Sequence, residues 1–102
     1  MNVVSKPTIV HYIEKYPMAA TPLLAWHKDF SRMSFNNFNE LKAVYTNASI
    51  VANNRVIFNI KGNTFRLIVA LDFRRKSAYV IWFGTHNEYD KINAATVAYV
   101  EI

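Results

Sequence analysis

This sequence predicts an α+β fold, with helices first and an antiparallel sheet after them. Three observations carry the prediction. Up to about residue 46 the apolar residues recur at helical spacing. From about residue 49 they fall into β-branched and aromatic stretches. Two short polar connections, "KGN" and "RRKS", join three of those stretches and mark tight reversals. A chain of 102 residues, 52% hydrophobic and 19% charged, suits one globular domain, 1–102, with a modest core.

The first helix is expected to start at Ser5, a capping residue, with Pro7 in its first turn. Ile9, Tyr12, Ile13 and Tyr16 follow on one face, and Pro17 stops it. Thr21-Pro22 repeats the start signal, and Leu23, Leu24, Trp26, His27 and Phe30 form the next stripe. With "YPMAAT" between them the two helices read as an αα-hairpin. A third, shorter helix from about Asn37 to Tyr45 places Phe38, Leu41 and Tyr45 together.

"RVIFNI", "TFRLIVALDF" and "SAYVIWFGT" are then three consecutive strands of an antiparallel meander. The middle one is apolar on both faces, as a central strand covered by helices on one side would be. "HNEYDKI" reads as a last helical turn, and "TVAYVEI" as a further short strand or an ordered tail.

The formal charge of +5 favours a polyanionic partner, although a merely solvated basic surface has the same composition. The chain has no cysteine, which removes disulfides and thiolate metal sites and fits a reducing, cytoplasmic setting. Met1 to Val10 shows no signal-peptide pattern. The longest apolar run, Ala78 to Phe83, falls far short of the roughly 20 residues that span a bilayer, so no membrane association is expected. His11, His27 and His86 lie on separate elements without metal-ligand spacing, so no metal and no cofactor is expected. Gly62 and Gly84 stand alone, which excludes a glycine-rich phosphate loop, and no GxSxG motif occurs.

Strand alternation puts Arg66 on one face of the hairpin, close to Lys61 and Asn63 in the loop. His86 follows the third strand and returns to that same end of the sheet. Arg74, Arg75 and Lys76 cap the opposite end. A hairpin needs only Gly62 and one asparagine to turn, so the two cations of "NIKGNTFR" are unexplained by the turn alone. Arginine grips phosphate oxygens with a permanently charged planar fork, and histidine transfers protons near neutral pH. RNA supplies its own nucleophile in the 2′-hydroxyl, so such a set suits phosphodiester cleavage without a metal. Each residue also has an ordinary reading. Arg66 can pair with an acid such as Asp90, His86 can cap the helix that follows it, and Trp82 and Tyr89 can be sheet-face packing. Lys91 and the Arg74–Lys76 run can be solvated, or can make sequence-independent phosphate contacts.

"LKAVY" at Leu41 to Tyr45, "FNIKGNTFRLIVALDF" from Phe58 and "THNEYDKI" from Thr85 resemble, in order and spacing, the HigB-type toxins of bacterial toxin–antitoxin systems. These belong to the RelE-like group, and the three blocks cover somewhat more than a quarter of the chain. The resemblance implies a helical N-terminal region on an antiparallel sheet. It implies an mRNA interferase that cuts messenger RNA on the ribosome. It also implies a HigA-like helix-turn-helix antitoxin, hetero-oligomeric assembly and a bacterial cytoplasmic location. Lys42, Asn59, Asn63, Arg66, His86 and Tyr89 fall on matching motif positions, and Lys61 fills a variable one. A non-catalytic protein that blocks translation by occupying RNA or the ribosome remains the alternative, as does a decayed toxin that only docks its antitoxin.

Overall fold

The computed structural model describes residues 1–4 and 6–99. The cap expected from Ser5 and the last three residues of "TVAYVEI" lie outside the described residues.

Helix α1 (Lys6–Lys15) buries Thr8, Ile9 and Tyr12, and Pro17 opens a 3-10 turn, Pro17–Ala19. Helix α2 (Ala20–Arg32) continues directly from that turn, one residue before the expected Thr21-Pro22 start. Pro22 is tolerated there because amides of a first helical turn have no intrahelical acceptor. Leu23, Trp26 and Phe30 face inward, whereas Leu24 is exposed and His27 only partly covered, so the buried stripe is narrower than the apolar pattern. Helix α3 (Phe38–Val44) has the expected extent. The Asn37 side chain caps it by accepting the Glu40 amide at 3.0 Å, and Leu41 is its buried residue.

The three expected strands are β3 (Arg55–Ile60), β4 (Phe65–Asp72) and β5 (Ser77–Thr85), in an antiparallel meander. Two short strands widen it at the edges. β2 (Ser49–Val51) pairs antiparallel with β3, and β1 (Asn2–Val3) pairs parallel with β5. The order is therefore β1-β5-β4-β3-β2, antiparallel except at one edge. Two and three residues are too short to show a period, so neither edge was visible as a pattern.

Phe65, Leu67, Val69 and Leu71 of β4 join the core beneath α1, α2 and α3, and the largest fully buried side chains of that core are Phe30, Phe65 and Phe83. Each fully buried side chain of this size contributes about 1.5–3 kcal/mol. The opposite face of the sheet carries a smaller cluster, Ile57, Ile68 and Ile81. Ile92, Ala94 and Val97 cover it. Arg55 pins that covering segment by donating from Nη1 to the Ala94 and Val97 carbonyls at 3.0 and 2.8 Å. Residues 96–99 are accordingly an ordered tail on the sheet and form no strand.

Candidate active site

The β3–β4 connection is a four-residue loop, Lys61–Thr64, one longer than "KGN". Lys61 (φ 55) and Gly62 (φ 62) both adopt the left-handed conformation. For glycine this is free, whereas for lysine it costs about 1–2 kcal/mol. Thr64 N–H closes the turn on the Lys61 carbonyl at 3.2 Å.

Register then sets a row on the face away from the helices. Asn59 stands opposite Arg66, and Arg66 opposite Gly84. Arg66 Nη1 donates to the Asn63 and Phe65 carbonyls, both at 3.2 Å, and Nη2 donates to Asn63 Oδ1 at 3.3 Å. All three acceptors are neutral. Among the described residues Arg66 forms no ion pair, so the pairing with Asp90 is not made. Its guanidinium lies 6.0 Å from the centre of the Tyr89 ring.

The third strand delivers α4 (His86–Tyr89) to this end, as topology predicts. His86 N–H donates to the Thr64 carbonyl at 3.1 Å, which ties the start of α4 to the hairpin loop. The helix is capped by Thr85, not by His86. Thr85 Oγ1 accepts the Glu88 amide at 3.2 Å, and Glu88 Oε1 accepts the Thr85 amide at 2.9 Å. The Thr85-x-x-Glu88 spacing is a capping-box signature legible in the sequence, and reading His86 as the cap overlooked it. Tyr16 Oη donates to Glu88 Oε1 at 2.5 Å, so α1 also braces the cap.

These bonds hold the Glu88 carboxyl below its ordinary range, with the Thr85 amide as the largest cause and the Tyr16 hydroxyl next. Burial, followed by the Glu88 carboxylate, pushes the Tyr16 hydroxyl well up. Freed from capping, the His86 imidazole faces Asp90, with Nε2 3.7 Å from Oδ2. Burial also raises the Tyr89 hydroxyl, against the lowering effect of the Arg66 cation. Tyr89 therefore keeps its proton at neutral pH and serves there as a donor rather than a base.

The remaining candidates separate into two places. Lys42 Nζ donates to the Thr46 carbonyl at 2.6 Å and to the Ala48 carbonyl, which holds the loop after α3. That loop and the hairpin enclose an open groove of about 490 Å³, with Asn47, Asn59, Gly62 and Asn63 in its lining. Lys42 therefore braces the groove's far wall. Arg74, Arg75 and Lys76 lie beyond the other end of β4, about 25 Å from Arg66 along a strand rising about 3.3 Å per residue. Lys76 Nζ donates to the Phe35 carbonyl at 2.7 Å and to Asn36 Oδ1, and Arg75 Nε lies 3.8 Å from Asp72 Oδ2. The structure does not bring these three into the hairpin site. Lys91 is exposed two residues beyond Tyr89. Among the described residues no three His, Asp or Glu side chains converge on a common point.

A cation that forms no ion pair among the described residues, an imidazole and a protonated phenol thus share one sheet end. The profile of the HigB toxin family, the RelE-like toxic component of a toxin–antitoxin system, matches residues 19–92. The chain belongs to the HigB toxin family. It is 27% identical over 96 residues to the mRNA interferase toxin HigB of Escherichia coli K12, with 92% of each chain covered. The mRNA interferase HigB of Shigella flexneri is similar to the same degree. That of Escherichia coli O6:H1 is 26% identical over 94 residues, covering 90% of this chain and 91% of the relative. The HigB family match spans α2 through α4, and so includes the whole hairpin site, while α1 and β1 fall before it. No helix among the described residues is long and apolar enough to cross a membrane.

Proposed function

We propose that the chain is the endoribonuclease toxin of its toxin–antitoxin system, an mRNA interferase that cuts messenger RNA on the ribosome without a metal. The observation that carries this reading is Arg66, whose guanidinium is held, among the described residues, by neutral acceptors beside Tyr89. A guanidinium so placed keeps its full charge for an incoming phosphate.

In the proposed reaction the RNA 2′-hydroxyl attacks the adjacent phosphorus, and its proton passes to a base. Charge builds on the non-bridging oxygens, where Arg66 opposes it, with Lys61 alongside. The bond to the 5′-oxygen breaks, and that oxygen takes a proton. The products are a 2′,3′-cyclic phosphate and a 5′-hydroxyl. His86 transfers one of the two protons. Tyr89, protonated at neutral pH, donates a hydrogen bond or the second proton. Asn59 and Asn63 fix the loop, the latter by accepting from Arg66 through both its carbonyl and its side chain. Lys42 reaches the substrate indirectly, through the groove wall that it braces. Arg74, Arg75, Lys76 and Lys91 supply contacts to phosphates away from the cut. The antitoxin of the module is HigA-like and assembles with the toxin as a hetero-oligomer in the bacterial cytoplasm.

Replacing the single 2′-hydroxyl at the cut by hydrogen is the direct test. Cleavage should cease while ribosome association persists; continued cutting would exclude the mechanism.

A further inference from the structure

Of the two aromatic side chains at this end of the sheet, Tyr89 beside Arg66 and Trp82 beside Tyr89, Trp82 takes no part in the proton or charge chemistry above. Trp82 and Gly84 are neighbours on the same face of β5, two residues apart, and Gly84 is the cross-strand partner of Arg66. A methyl group at position 84 would stand 2.6 Å from Trp82 Cη2 and 2.8 Å from Cζ2. The benzo end of the indole therefore lies where any larger residue would place its side chain. Gly84 has no positive φ; a side chain there would press on the indole first and then on Glu88 Oε1, at 3.1 Å.

Laid along the strand in this way, the indole extends from the Ile68 register towards the Arg66 row. The Tyr89 ring is 6.2 Å from it, inclined at 52°, and the Arg66 guanidinium is next to Tyr89. Trp82 and Tyr89 are both partly exposed. Covering Ile68 alone would be served by any large apolar residue in an ordinary rotamer. It does not require the ring to fill the space of the neighbour's missing side chain.

We propose that Trp82, seated on Gly84, is a stacking surface for one nucleobase of the single-stranded RNA next to the cut. This deepens, and rests on, the endoribonuclease reading. Arg66 would hold the phosphate while the adjacent base lies on the indole. An aromatic plane accepts any base, so the contact positions the substrate and does not by itself read sequence. Trp82 is a positioning residue in this scheme, with no proton to transfer.

The test uses ribosomes programmed with a short mRNA carrying a 2′-deoxynucleotide at the cut, so that binding is measured without cleavage. The bases around the cut are removed one at a time. For the unaltered protein, one abasic position should weaken binding roughly 5- to 100-fold, the range of a lost base–aromatic stack. In Trp82→Leu that penalty should vanish, and in Trp82→Phe it should partly survive. Gly84→Ala must displace the indole, and should remove the penalty with Trp82 still present. This arm holds even where Trp82→Leu folds poorly. An abasic penalty of the same size in Trp82→Leu and Gly84→Ala would overturn the proposal. So would the absence of any abasic penalty in the unaltered protein. Failure of the underlying reading is distinguished by Arg66→Ala on an all-ribose message: undiminished cutting there removes the endoribonuclease assignment, whatever the stacking result.

Discussion

The two ends of β4 carry similar cations and differ in what those cations face. At the hairpin end Arg66 donates, among the described residues, to carbonyl and amide oxygens and faces the Tyr89 ring. At the opposite end Lys76 is inserted between the Phe35 carbonyl and Asn36, and Arg75 approaches Asp72. The first arrangement leaves charge available to a ligand. The second uses charge to join the α2–α3 connection to the sheet. A count of basic residues cannot separate these roles, because the difference lies in the acceptor and not in the side chain. Substitutions at the two ends should therefore fail in different ways, with lost chemistry at one and lost stability at the other.

The largest effect is expected at His86. If it transfers a proton, His86→Ala should lower single-turnover cleavage by about 10²–10⁴, with the melting temperature nearly unchanged, since Thr85 and not His86 caps α4. A drop in melting temperature that parallels the drop in rate would instead make His86 part of the scaffold. Arg66→Ala comes next, at about 10²–10³ in rate, by analogy with the loss of one charge-stabilising donor. Ribosome association, followed separately by co-sedimentation, should be largely retained. Activity that falls only in proportion to lost association would favour translation block by occupancy.

At the other end, Lys76→Met should act on stability, and on RNA only through a phosphate contact away from the cut, not on the rate of cleavage. It removes a charged donor from two oxygen acceptors, and denaturant unfolding should show about 1–3 kcal/mol of destabilisation. Turnover per folded molecule should match the unaltered protein. A rate loss at this position would erase the distinction between the two ends.

The brace beneath α4 offers a pH test of intermediate size. Glu88 is held below its ordinary value of 4.5 by the Thr85 amide and the Tyr16 hydroxyl. A depressed carboxyl contributes stability that is fully present above the unfolded value and is lost as pH falls through the folded one. Stability should therefore decline below about pH 4.5, and Glu88→Gln should flatten that decline while costing about 1 kcal/mol at neutral pH. Because α4 presents His86 and Tyr89, the substitution should also reduce cleavage, which separates it from Lys76→Met.

Much of this arrangement was legible beforehand. The helix α3, the meander and the return of His86 to the hairpin end follow from period, turn chemistry and strand alternation, which are local signals. The edge strands were not legible, since Asn2–Val3 has no period and its parallel partner is 75 residues away in sequence. The entry into α2 was misplaced because Thr21-Pro22 carries a start signal that the preceding 3-10 turn pre-empts. His86 was placed correctly at the sheet end that holds Arg66, whereas Tyr89 entered only through the family resemblance. The cap at Thr85, the brace from Tyr16 and the seating of Trp82 on Gly84 were missed. Each depends on side-chain direction, and strand alternation gives the face of a residue but not where a long side chain lies on that face.

The smallest expected effect lies at the exposed pair Arg74 and Arg75. The ion pair of Arg75 with Asp72 is long and mostly solvated, and Asp72 still accepts the Arg75 backbone amide at 3.1 Å after the side chain is changed. Converting both arginines to glutamine should move stability by no more than about 0.5 kcal/mol. The single-turnover rate at saturation should also stay put, because neither group is near the hairpin site. What should change is the salt dependence of ribosome binding. Each phosphate contact to single-stranded RNA contributes about 0.7 to the log–log slope, so losing two lowers it by roughly 1.4. A slope that does not move would return this end of the sheet to a purely structural role and would confine RNA contact to the end that holds Arg66.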